Sequence, residues 1–244
     1  MTSIRVFPDA SRTAQELANA SVDKLVELTS TKQQVEWAVS GGFITEKVLP
    51  LMAARIDEVD WKKIRVWWVD ERYVPSGHSD RNDDQAVDAL FHHVPEVALM
   101  RMPSSDSGVS VDQAAATCAS YWDHEMGNRA IDFALIGMGP DGHIASLFPG
   151  EQRCAGGLCP SVLPVTDSPK PPPVRLSLSM EVLQMAQTIW IGSCGSAKAL
   201  AIAEALSGAS AEKFPVAGVL GEQSKLWLDE DAASQIVLNS RERY

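Results

Sequence analysis

At 244 residues, with 45% hydrophobic and 22% charged positions, the chain is long enough to bury a full core and is composed like an ordinary globular protein. Its formal net charge of −11, from 21 basic and 32 acidic residues, excludes a broad phosphate-neutralising surface for nucleic acid, and no 18-residue apolar run is present to cross a membrane. A small anion can still be bound if a few cations and backbone N–H groups converge in one pocket.

One domain over residues 1–244 is expected. The N-terminal MTSIRVFPDASRTAQ lacks the basic start and apolar core of a secretory signal, which points to the cytoplasm. Cys118, Cys154, Cys159 and Cys194 are too few for a disulfide framework, and the C-x4-C pair has no matching ligand pair, so all four read as buried or incidental thiols.

In chain order, short β-rich runs alternate with helical patterns: IRVF (4–7), QVEWAV (34–39), IRVWWVD (64–70), VALMR (97–101), IDFALIG (131–137), VRLSLS (174–179), TIWIG (188–192) and KLWLD (225–229). Leu17, Ala18, Val22, Leu25, Val26 and Leu28 follow the helical period, as do Ala197, Leu200, Ala201, Ala205 and Leu206. The alternation predicts an α/β fold, a mainly parallel open sheet with helices on both faces. Trp67 and Trp68 are strand neighbours and must face opposite sides; Trp37, Trp190 and Trp227 are expected in the core.

Ligands of such sheets gather beyond the carboxyl ends of strands. Three of those ends are unusual: SGGF (40–43), DERYVPSGHSDRND (70–83) and GMGPDGHIASLFPG (137–150). In the last, Gly137, Gly139 and Gly142 have the G-x-G-x-x-G spacing of a dinucleotide turn. That motif also needs a substantial helix after the turn and an acidic residue about 20 positions on. The stretch from Gly142 runs only to Phe148 before PG, and 157–164 reads GLCPSVLP. The glycines instead permit a tight turn that presents Asp141 and His143 beside a short helix. The proline-rich SPKPPP at 168–173 is expected to be an ordered loop near the site, within the longer segment CAGGLCPSVLPVTDSPKPPP (154–173), which is either a lid or an inert surface loop.

GMGPDGHIASLFPG, VWWVDERYVPSGHSDRND and the upstream SGG resemble the 6-phosphogluconolactonase family, and the order and spacing of these blocks extend over nearly the whole chain. The resemblance implies a NagB/RpiA-like three-layer architecture and hydrolysis of 6-phospho-D-glucono-1,5-lactone in the pentose phosphate pathway, with no metal and no organic cofactor. A sibling family, glucosamine-6-phosphate deaminase and isomerase, shares the fold and a similar DGH turn. It continues F-N-E-P-like where this chain has SLFP. A noncatalytic sugar-phosphate sensor is the third reading. The implied partner is a small sugar-phosphate lactone, and the chain is expected to be a monomer or weak homodimer.

Lactone hydrolysis needs a base for water, donors for an oxyanion and a proton for the departing oxygen. One imidazole can accept and return that proton, so His143 is the candidate base and then acid; the alternative is a structural histidine bonded to its turn. Asp141 either orients that ring or caps the short helix. Arg72 offers a permanently charged fork that suits an oxyanion or a phosphate; the resemblance to the family's DER motif places it with the catalytic residues, with polarising the carbonyl and holding the ring hydroxyls as alternatives, unless it is spent on Asp70 or Glu71. Ser40, Gly41 and Gly42 can form an anion nest for the 6-phosphate. Here Phe43 and Ile44 depart from the hydroxyl residue and proline common in the family, and Thr45 is the first later hydroxyl. The resemblance makes Arg175 and Lys198 phosphate-directed cations and places Asp70 with the substrate-binding residues. His78 and Asn82 are expected to shape the loop after DER, and His92 and His93 to be incidental.

Overall fold

A computed structural model describes residues 1–150 and 159–236. The strands are β1 (Ser3–Phe7), β2 (Val35–Val39), β3 (Ile64–Trp68), β4 (Asp70–Arg72), β5 (Ala98–Met100), β6 (Phe133–Gly137), β7 (Val162–Val165), β8 (Arg175–Leu178), β9 (Ile189–Ser193) and β10 (Ser224–Asp229). The α-helices are α1 (Ala10–Thr31), α2 (Leu49–Met52), α3 (Asn82–Ala89), α4 (Val111–Met126), α5 (Met180–Gln184) and α6 (Ala199–Leu206). A seven-stranded sheet runs β1-β10-β9-β6-β2-β3-β5, and every pairing in it is parallel.

Strands covered on both faces must be apolar throughout, and all five residues of β2 are buried. The two faces feed separate cores. Trp37, Val39, Val66, Trp68, Phe133 and Leu135 pack with the buried stripe of α1, whereas Ala38, Trp67, Ala134 and Ile136 pack with α4 and α6. Trp67 and Trp68 therefore do face opposite sides, and Trp37, Trp190 and Trp227 are buried.

Side-chain caps fix where the long helices begin. Asp9 accepts from the Arg12 N–H at 2.7 Å to start α1, and Ser110 with Gln113 forms a reciprocal capping box on α4. The second amphipathic pattern is partly corrected: Ala201 and Ala205 are buried but Leu200 is 57% exposed. The apolar face of α6 instead runs through Ala199 and Ile202.

VRLSLS does not join the large sheet. It forms β8 of a separate three-stranded antiparallel sheet, order β4-β8-β7. Strand β7 was not foreseen, because VLPV is short and contains a proline, which removes a backbone donor. The large sheet's order reverses beside β2: the chain goes from β2 outward through β3 and β5, then returns to β6 on the other side and continues through β9 and β10. Such a reversal opens a crevice at the carboxyl ends of the two adjacent strands. SGG follows β2 and GMG follows β6, so both motifs meet there.

Two further expectations fail. No helix follows Gly142; residues 143–148 form turns with an isolated Ile144–Leu147 bridge. Cys159 is disulfide-bonded, so the four cysteines are not all free thiols; Cys154 lies outside the described residues, while Cys118 and Cys194 are free. Among the described residues, no helix is long and apolar enough to cross a membrane.

Candidate active site

The crevice is a pocket whose lining includes Ser40, Gly41 and Gly42 from the end of β2, Asp70 and Arg72 from β4, His143, Arg175 and Lys198. These are the residues singled out from the sequence, apart from Asp141, which sits behind the imidazole. Phe43, Asn82, Met138, Gly139, Ala145 and Lys170 complete much of the wall.

His143 is held from several directions. Its Nδ1 lies 2.5 Å from Asp141 Oδ1. Gly139 N–H donates to the His143 carbonyl at 2.9 Å, and Gly142 N–H donates to the Gly139 carbonyl at 3.0 Å. A Cβ on Gly139 would fall 2.0 Å from the imidazole Nδ1 and Cε1, so the ring occupies space that only glycine leaves. Gly142 has φ +80, the left-handed region that favours glycine. Phe148 covers the ring at 4.6 Å between centroids. The glycine spacing thus serves a histidine-bearing turn.

Without a helix to cap, Asp141 is spent on the imidazole. Burial pushes its carboxyl up, but the hydrogen bond and charge of His143, together with Lys170, outweigh this and hold it well below the usual carboxylate range. An ionised carboxylate at this distance accepts the Nδ1 proton, so that in the neutral imidazole Nε2 is the nitrogen with the lone pair.

Ser40 ties the two strand ends together, accepting from the Gly137 N–H at 2.8 Å. Thr45 donates to the Ser40 carbonyl at 2.9 Å. Both hydroxyls brace the loop. A Cβ on Gly41 would collide with Asn82 Oδ1 at 2.0 Å, which accounts for a glycine there. Asn82 in turn donates to the Asp70 carbonyl at 2.9 Å.

Arg72 is paired with neither Asp70 nor Glu71 through its guanidinium. Its Nη1 donates to the Asp80 carbonyl at 2.7 Å, and its buried Nε has no partner. Glu71 anchors the loop that carries it, accepting backbone N–H bonds from Arg72, Asn82 and Asp83 at 2.7 to 2.9 Å. Burial and the Asp83 carboxylate push the Glu71 carboxyl up. Asp70 accepts from Ser146 Oγ at 2.6 Å and lies 3.9 Å from Arg175.

Lys198 donates to the Met138 carbonyl at 2.6 Å; burial, then the charge of Lys170, push its ammonium down. Arg175 lines the pocket, but its Nε and Nη2 donate to the carbonyls of Pro172 and Lys170 at 3.0 and 2.9 Å. It fastens the 168–173 loop. That loop delivers Lys170, a cation not singled out from the sequence: its Nζ lies 3.3 Å from His143 Nδ1 and 3.7 Å from Asp141 Oδ1. The available signal was a lone lysine inside a proline tract rigid enough to aim it. His78 is exposed beside Asp80, and His92 and His93 lie against each other with their rings tilted by 41°, outside the pocket lining.

Fold and site together define an open-sheet α/β protein with a histidine–carboxylate pair and several cations at its switch point. The family model described as glucosamine-6-phosphate isomerases/6-phosphogluconolactonase matches residues 8–228, and the chain belongs to this family. It is 36% identical over 245 residues to the 6-phosphogluconolactonase of Streptomyces coelicolor, covering 95% of this chain and 93% of that one. It is 34% identical over 246 residues to the 6-phosphogluconolactonase of Mycobacterium tuberculosis, covering 96% and 98%. The structure of 6-phosphogluconolactonase from Trypanosoma cruzi superposes with a TM-score of 0.84 at 19% identity, covering 98% of each chain. The fold is the NagB/RpiA-like arrangement expected from the sequence.

Proposed function

We propose that the pocket hydrolyses 6-phospho-D-glucono-1,5-lactone to 6-phospho-D-gluconate, with His143 activating the water. The chain is a lactone-hydrolysing enzyme of the carboxylic ester hydrolases, a reading supported by near full-length identities of 34 to 36% to 6-phosphogluconolactonases. The observation that carries the mechanism is the 2.5 Å His143–Asp141 contact in a pocket that also holds Arg72 and Lys198.

Nε2 takes a proton from water as its oxygen attacks C1, and the carbonyl π pair moves onto oxygen. The tetrahedral oxyanion then collapses, the bond from C1 to the ring oxygen breaks, and the imidazolium returns its proton to that oxygen. Asp141 stabilises the transient imidazolium and holds the tautomer. Arg72 and Lys198, with the Gly41–Gly42 backbone, hold the far end of the substrate by its phosphate. Asp70 and Arg175 fix the wall and the 168–173 loop.

Sugar isomerisation needs further acid–base groups after the DGH turn. There this chain has Leu147 and Phe148, both buried and apolar.

The test generates the lactone in a coupled assay and follows its decay with wild type and His143→Ala, corrected for spontaneous hydrolysis. Wild type is expected to accelerate decay and the variant to lose about 10² to 10⁴ of that acceleration. A background rate with wild type ends the substrate assignment; full activity in the variant ends the base assignment. Ammonia release from glucosamine 6-phosphate would reassign the chain to the sibling activity.

A further inference from the structure

The Lys170 ammonium approaches the catalytic pair closely without a good acceptor of its own. Among the described residues, its side-chain contacts are His143 Nδ1 at 3.3 Å and Asp141 Oδ1 at 3.7 Å. Nδ1 carries a proton that it gives to Asp141, so it does not accept from lysine in that tautomer, and 3.7 Å is too long for a hydrogen bond. Three N–H donors are therefore held beside the base with their capacity unspent.

The placement is built. Arg175, 4% exposed, clamps the carbonyls of Lys170, Pro171 and Pro172, and Ser168 bonds both the Lys170 carbonyl and its N–H. The backbone is thus fixed, while the side chain, 40% exposed, keeps the freedom to reach a ligand.

We propose that Lys170 donates to the lactone carbonyl oxygen, stabilises the oxyanion formed when water adds, and afterwards holds the product carboxylate. This rests on the reading of His143 as base. The water that His143 activates must lie against C1. Lys170 meets the ring at Nδ1 rather than at the Nε2 that takes the proton, but it lines the same pocket, and its partly exposed side chain can extend past the ring to the carbonyl oxygen. The phosphate sits on C6, at the opposite end of the sugar, so a lysine in contact with the base is poorly placed to hold it. A donor aimed where charge develops in a partly dehydrated site acts more strongly on the transition state than on the ground state.

The test compares wild type, Lys170→Met and Lys170→Arg in the lactone assay. The same proteins are titrated with 6-phosphogluconate, which carries both carboxylate and phosphate, and with glucitol 6-phosphate, which carries phosphate alone. Lys170→Met is expected to lower kcat about 10²-fold and to weaken 6-phosphogluconate binding about tenfold, leaving glucitol 6-phosphate unchanged. Lys170→Arg is expected to restore part of both. Unchanged kcat overturns the proposal. So does an equal loss of affinity for both ligands, which makes Lys170 a phosphate clamp, or a shifted pH profile with the wild-type plateau, which makes it only a modulator of the imidazole. His143→Ala in the same assay separates these failures from failure of the base assignment, since it reports on His143 with Lys170 intact.

Discussion

Asp141 Oδ1 and His143 Nδ1 stand 2.5 Å apart although only one residue separates them in the chain. A turn this tight makes the carboxylate a local partner, so removing it alters the imidazole without dismantling the pocket. Asp141→Asn is expected to lower kcat about 10²-fold or more with little change in KM, because the amide presents the wrong donor pattern to Nδ1. Steady-state kinetics with the lactone check this. The carboxyl's folded value lies below its ordinary value of about 3.9, so the pair's contribution to stability is present above that pH. It is lost only as pH falls further, through the folded value.

Gly139 is required by the ring beside it. Gly139→Ala places a methyl 2.0 Å from the imidazole, and the side chain rather than the backbone of β6 must give way. Expected are a loss of kcat comparable to that of Asp141→Asn, near-native circular dichroism and a melting temperature within a few degrees of wild type. Unchanged kcat would mean that the ring has room to move without cost.

The large sheet was legible because its strands are short apolar runs separated by helical periodicity. The pocket was legible because its motifs follow two strands that topology makes neighbours. Other features depend on contacts between distant residues. The role of Arg175 is set by loop carbonyls that accept its donors, and nothing in RLSLS distinguishes that from phosphate binding. Lys170 joins the site through a proline tract with no periodic signal. Asn82 was visible only as a loop residue until Gly41 was found against it.

Glu36 is buried at the other end of the sheet from the pocket and is not expected to touch the reaction. It accepts from Arg65 at 2.8 Å, Trp67 Nε1 at 2.7 Å and Gln34 at 2.7 Å, with Arg129 at 3.0 Å. Burial pushes its carboxyl up, but Arg65, Trp67 and Gln34 outweigh that and bring it below the ordinary value. Glu36→Ala leaves Arg65 partly unpaired and is expected to cost about 3 kcal/mol, at the low end for a broken buried pair because Arg65 keeps Glu125. Urea unfolding at neutral pH measures it. Since the folded value lies below the unfolded one, Glu36's contribution is complete above about 4.3 and declines as pH falls through the folded value. The difference between variant and wild type should therefore shrink on acidification, and a constant difference would deny the ionic origin.

Lys198 differs from a surface lysine because burial and Lys170 bring its ammonium below the ordinary value. If this ammonium holds the phosphate, 6-phosphogluconate binding weakens as pH rises through that lowered value, before the value of about 10.4 at which a free lysine would lose its charge. Calorimetric titration of the product across alkaline pH avoids the spontaneous hydrolysis that limits work with the lactone. In Lys198→Arg the guanidinium stays charged, so the alkaline decline should move to higher pH even if the absolute affinity falls, because the longer fork does not reproduce the bond to the Met138 carbonyl. Lys198→Met should raise KM at least tenfold with a smaller effect on kcat, the pattern of a group that binds the ground and transition states alike. A decline at the same pH in wild type and Lys198→Arg would assign the titrating group elsewhere.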